Sequence, residues 1–67
     1  MDNGDKIDWT LASAILEYLA DAGGLVYVPI MRKYIVADDT VFQGTLDRLL
    51  ELGQVERRGT FYRIRSV

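Results

Sequence analysis

Four arginines between residues 57 and 65 form the densest group of side chains that could bind an anion: Arg57, Arg58, Arg63 and Arg65. Guanidinium groups gathered on one surface contact phosphates. Residues 54–67 hold these four cations and a single acidic residue, which gives +3, whereas residues 1–53 hold four basic and nine acidic residues, which gives −5. The alternative is that the arginines only keep exposed strands solvated, because edge strands are commonly charged.

Groups that carry most enzymatic chemistry are missing. The sequence has no histidine and no cysteine, which removes the usual general base, thiolate and transition-metal ligands. Ser13 and Ser66 have no evident activating base. Asp38 and Asp39 are adjacent carboxylates, but neighbouring side chains on a helix point apart. We therefore predict a protein that is not an enzyme and that needs neither a metal nor another cofactor.

The length of 67 residues predicts one domain. A domain of this size buries only about 60% of the surface of its unfolded chain, so it needs an efficient core or a partner. The hydrophobic fraction of 49% and the charged fraction of 27% are ordinary for a globular domain. No apolar run approaches a membrane span, and residues 1–6 do not resemble a signal peptide. We expect a soluble, cytoplasmic protein that does not bind a membrane.

Hydrophobic spacing and capping residues predict a small α+β domain at residues 8–67, preceded by a flexible N-terminal tail at 1–7. The predicted helix that precedes the hairpin is capped by Asp38 and ended by Gly53. Another begins at Pro29, which suits a first helical turn. The predicted helices cover about residues 8–22, 29–35 and 38–52. The predicted strands cover residues 25–27, 54–58 and 61–65, and the last two form a hairpin around Gly59.

The predicted core consists of apolar residues at helical spacing on the two longer helices: Leu11, Ile15, Leu19, Phe42, Leu46 and Leu49. Trp9 and Tyr18 are assigned to this core or its rim. For the short second helix two registers stay open, with either Met31 and Ile35 or Ile30 and Tyr34 facing inward. Tyr27 and Tyr34 either close the core or form an exposed aromatic patch for a partner.

The order of helix, short strand, two helices and hairpin resembles the winged helix-turn-helix family over residues 8–66. The most specific resemblance is the run L-x-x-L-x-x-x-G-x-V-E-R-R-G, which begins at Leu46 and ends at Gly59. In that family this run joins the recognition helix to the wing. The resemblance implies that the helix from Asp38 lies in a major groove and that Arg58-Gly59-Thr60 approaches a phosphate backbone or a minor groove.

The resemblance therefore implies a small protein that binds double-stranded DNA, acts in transcription regulation and dimerises to reach two half-sites. Thr45 and Asp47 are expected further along the outward face of the predicted recognition helix. The residues expected to contact DNA are Arg32, Lys33, Asp39, Thr40, Gln43, Gly44, Arg57, Arg58, Thr60 and Arg63.

The predicted recognition helix departs from the family because it is acidic, and carboxylates are repelled by phosphates unless they accept from a cytosine amine. This favours a second hypothesis, in which the winged helix is a protein-interaction module or a subunit of a larger assembly. A third hypothesis is RNA binding, with a base stacked on Tyr62 beside Arg63. Gly44 indicates either the close approach of a base, a backbone or a helix, or merely a small residue on an exposed face.

Overall fold

Three helices and a three-stranded antiparallel sheet make up the part of the chain that this computed structural model describes, residues 8–65. The helices are α1 (Trp9–Ala22), α2 (Val28–Tyr34) and α3 (Asp39–Glu51). The strands are β1 (Val26–Tyr27), β2 (Val55–Arg58) and β3 (Phe61–Ile64). The predicted number and order of elements are confirmed, with ends that differ by at most one residue. The tail predicted at residues 1–7 lies outside the described residues.

The ends of α3 are fixed by local interactions that the sequence predicts. The Asp38 carboxylate accepts from the backbone N–H groups of Thr40 and Val41, at 2.9 and 3.4 Å. At the other end Gly53 adopts a φ of 77°. This conformation lets the Gln54 N–H donate to the carbonyl of Leu49 and the Gly53 N–H to that of Leu50, which is the Schellman pattern. Both ends of the helix are therefore stabilised by backbone hydrogen bonding.

The core lies between the helices and one face of the sheet. It is a single cluster of buried side chains from all six elements: Leu11, Ala12, Ile15, Leu19, Val26, Met31, Phe42, Leu46, Leu49, Val55 and Tyr62. In α2 the register with Met31 buried and Ile35 partly buried is confirmed, and Ile30 and Tyr34 are exposed. The assignment of Trp9 to the core or its rim was wrong, because this side chain is 60% exposed at the start of α1.

The strand order β1-β3-β2 places β3 in the centre of the sheet. Opposed residues share a face, so Val26, Val55 and Tyr62, which are buried, define the helix-side face. Tyr27 and Arg58 both oppose Phe61 and define the other face, which we call the outer face. No helix among residues 8–65 has the length and apolar character needed to cross a membrane.

A two-residue turn, Gly59-Thr60, connects β2 to β3. Gly59 has a φ of 63°, whereas Thr60 does not have a positive φ, which is the pattern of a type II′ hairpin turn. The Thr60 carbonyl also accepts from the Val28 N–H at 3.2 Å. The turn is therefore tied to the start of α2 and does not project freely from the domain.

Candidate functional site

The exposed face of α3 brings together the four α3 residues that the sequence assigns to DNA contact. Asp39, Thr40, Gln43 and Gly44 line one shallow depression together with Asp47. Their spacing of three and four residues explains this, because such residues are neighbours on a helix. The depression has a carboxylate at each end and neutral polar groups between them.

Two side chains of α3 are held by neighbours on the same helix. The Gln43 amide donates to the Asp47 carboxylate at 3.0 Å, so that donor is not free for a ligand while this bond persists. Thr45 was expected on the outward face, and this was wrong. Thr45 is 4% exposed, and its hydroxyl donates to the Val41 carbonyl at 2.7 Å. Because its hydroxyl is satisfied by a carbonyl of its own helix, Thr45 can be buried at the edge of the apolar stripe.

The two cations of α2 differ in their surroundings. Arg32 forms an ion pair with Asp39, and its guanidinium carbon lies 5.3 Å from the centroid of the Phe42 ring. The cation-π contact and the ion pair hold this side chain against α3. Lys33 is exposed. Arg32 thus neutralises one carboxylate at the start of α3, and Lys33 is the cation of α2 that remains available to a ligand.

The arginines of the hairpin do not share one face. Arg58 opposes Phe61 on the outer face, whereas Arg57 opposes Tyr62 and belongs to the helix-side face, although it is exposed at the margin of the core. Arg63 lies on the outer face and donates to Glu56 at 2.9 Å. The arginines therefore lie on two faces of the hairpin and not in one cluster. The two faces meet at the Gly59-Thr60 turn, where Thr60 is also exposed.

Ion pairing leaves only part of the positive charge uncompensated. Arg32, Arg48 and Arg63 each pair with a carboxylate. Across residues 8–65, no carboxylate oxygen lies within 4.0 Å of the side-chain nitrogens of the other cations, which are Lys33, Arg57, Arg58 and Arg65. Three of these four belong to the hairpin or follow it directly. The hairpin therefore carries most of the unpaired positive charge of the described chain.

Exposed aromatic residues on the sheet are a feature that the sequence identified only in part, because it offered Tyr27 but not Phe61 for an exposed patch. Tyr62, proposed to stack a base, is 3% exposed and belongs to the core, so this assignment was wrong. Phe61 and Tyr27 are exposed instead, with ring centroids 5.2 Å apart. Tyr34 pairs with Tyr18 at 5.8 Å, so Tyr27 and Tyr34 belong to two separate aromatic pairs. The signal in the sequence that could have identified Phe61 is strand alternation, which places Phe61 and Arg63 on the same face of β3.

No group of three carboxylates within residues 8–65 is placed to hold a metal ion.

Comparisons with models of protein families, with curated proteins and with solved structures find no match.

Gly44 provides a test of the α3 face. A Cβ placed on Gly44 meets no atom within 4 Å beyond its chain neighbours and the backbone of its own helix, so no other described element packs against it. Because Gly costs about 1 kcal/mol relative to Ala inside a helix, we expect Gly44→Ala to raise the free energy of unfolding by up to about 1 kcal/mol. Urea denaturation followed by circular dichroism measures this. The matched control is Gly59→Ala, which should be destabilising because its φ of 63° disfavours a side chain.

Proposed function

We propose that this protein is a small DNA-binding domain of the winged-helix type, and that its hairpin supplies most of the attraction to the phosphate backbone. The observation that carries the proposal is the position of Arg57, Arg58 and Arg65, which have no carboxylate partner within residues 8–65, on the hairpin and directly after it. The order of helices and the antiparallel sheet are compatible with a winged-helix layout. Phosphate contacts supply most of the affinity of such domains, independently of sequence.

In this proposal α3 orients the protein and contributes selectivity. Thr40 and Gln43 are exposed near the N-terminal end of α3, and hydroxyl and amide groups hydrogen-bond to base edges in a major groove. Asp47 at the other end of the depression repels phosphates, and the Gln43 donor must leave Asp47 before it can bind adenine. We therefore expect one domain to bind DNA weakly. In this proposal α3 contributes more to excluding incorrect positions on the duplex than to affinity.

Dimerisation would compensate for this weakness in the proposed function. A pair of domains related by a two-fold axis contacts two half-sites about one helical turn apart, and the second contact becomes intramolecular. A regulator of transcription built in this way would bind a near-palindromic site. The dimeric state and the regulatory role are both parts of the proposal.

Fluorescence anisotropy of a labelled DNA duplex tests the proposal. The titration is run at about 50 and about 200 mM salt, because log K falls linearly with log salt with a slope near −0.9 for each phosphate contact. Four contacts, from the four unpaired cations, predict a slope of about −3.6. Absence of binding at about 50 mM salt, with protein at tens of micromolar, would contradict the proposal.

The acidic face of α3 favours a second candidate, a protein-interaction module that binds a basic partner. Asp39, Asp47 and Glu51 are all exposed on α3, although Asp39 pairs with Arg32 and Glu51 pairs with Arg48. The double substitution Asp47→Lys, Glu51→Lys separates the candidates. If α3 faces DNA, removing this repulsion strengthens duplex binding. If α3 binds a basic protein surface, the substitution abolishes capture of that partner, and duplex binding gains only the general attraction of the added positive charge.

A further inference from the structure

Two aromatic rings lie side by side on the outer face of the sheet. Tyr27 of β1 opposes Phe61 of β3, and the ring centroids are 5.2 Å apart with planes tilted by 38°. The helices cover the other face, and within residues 8–65 Tyr27 and Phe61 remain 42% and 41% exposed. An aromatic cross-strand pair stabilises a sheet, but that role does not require the rings to remain uncovered.

The charge next to these rings is positive. Arg58 lies opposite Phe61 on the neighbouring strand and has no carboxylate within 4.0 Å among the described side chains. Arg63 follows two residues after Phe61 on the same face, where Glu56 holds it in place. The outer face therefore combines two exposed aromatic rings with one uncompensated guanidinium directly beside them.

The size of this patch limits what it can bind. A stable protein interface covers about 800 Å² on each partner, whereas rings that bury 150–250 Å² in full and are 42% and 41% exposed offer here only about 60–100 Å² each. A nucleobase is a flat group of suitable size. Exposed aromatic rings beside cations are the usual means of holding unpaired bases, and the stacking tolerates any sequence.

We propose that the outer face binds the unpaired bases of a single-stranded nucleic acid, with bases against Phe61 and Tyr27 and a phosphate near Arg58. This goes beyond the proposed duplex binding, because the rings lie on the opposite side of the sheet from α3. Loss of either activity does not require loss of the other, although both draw on Arg58.

The test compares three labelled ligands by fluorescence anisotropy: an oligothymidylate of about 8 nucleotides, an abasic strand of the same length, and a duplex. We expect the oligothymidylate to bind at least about fivefold more tightly than the abasic strand. Phe61→Leu and Tyr27→Leu should each remove most of that difference, while Phe61→Tyr retains it. The matched control is Tyr34→Leu, which removes an exposed ring from the other aromatic pair and should leave strand binding unchanged. A further titration with an oligouridylate shows whether the protein prefers RNA or DNA. Binding of either strand that depends on the two rings supports the proposal.

Three results would overturn it. The abasic strand binding as tightly as the oligothymidylate to the unmodified protein would show attraction by charge alone, and this comparison needs no variant. Unchanged affinity of folded Phe61→Leu for the single strand would show that the rings do not bind the bases. A change from dimer to monomer in Phe61→Leu by sedimentation, with strand affinity unchanged, would assign the face to contact between copies. Duplex binding retained in any of these cases leaves the proposed function intact.

Discussion

Replacing Phe42 with alanine is expected to lower the free energy of unfolding by about 3–5 kcal/mol, the cost of removing a large side chain from a packed core. Phe42 is 1% exposed and belongs to the single core cluster formed by the helices and the sheet. The ring also supports the guanidinium of Arg32, so the substitution removes a cation-π contact as well. Natural domains are stable by roughly 0.05–0.15 kcal/mol per residue. For 67 residues this range is about 3–10 kcal/mol, so the expected loss is about a third of the stability or more.

Urea denaturation followed by circular dichroism measures this effect, and Val41→Ala is the matched control. Val41 is the preceding residue of the same helix and is exposed, so its truncation leaves no cavity and improves helix propensity. We expect a change within about 0.5 kcal/mol for Val41→Ala. Similar losses for the two variants would contradict the placement of α3 against the core.

Removal of Arg57 and Arg58 together is expected to weaken duplex binding roughly hundredfold, if each contact with a charged group contributes about 1.5 kcal/mol. The two arginines are consecutive in β2 but belong to opposite faces of the hairpin, so a duplex at the turn could contact both. Because phosphate contacts carry no sequence information, the loss should be uniform across sequences, and the salt slope should fall by about 2.

The measurement is a duplex titration of Arg57→Ala, Arg58→Ala at several salt concentrations, with Arg48→Ala as control. Arg48 is also an exposed arginine, but it already pairs with Glu51 at 3.1 Å on α3. We expect its removal to change the duplex affinity by less than about threefold, since an exposed ion pair contributes little. An unchanged salt slope in the double variant would show that the hairpin does not contact phosphates.

Local signals predicted the parts of the fold that depend on adjacent residues. Asp38 caps α3 and Gly53 ends it, because caps act within one helical turn. Phe42 is buried because helical spacing places it on the apolar face. The burial of Thr45 was missed because a hydroxyl can bond to its own helix, and position on the helix alone does not show whether it does.

Long-range pairing explains what the sequence could not supply for the candidate site. The pairing of Arg32 with Asp39 joins two helices, and no spacing rule predicts it. Alternation grouped Phe61 with Arg63, but only the pairing of β1 with β3 brings Tyr27 beside Phe61. The four arginines looked like one cluster because they are close in sequence. Their separation onto two faces follows from the period of two residues in a strand.

The hydrogen bond from the Val28 N–H to the Thr60 carbonyl has a consequence for the kinetics of association. A loop that orders on binding loses conformational entropy at that moment, which slows or weakens complex formation. The Gly59-Thr60 turn is already ordered by folding, so contact with a polyanion requires no rearrangement there. Association should then be limited by diffusion and steered by the arginines, with a rate that falls steeply as ionic strength rises. Differences in affinity between ligands should appear mainly in their dissociation rate constants.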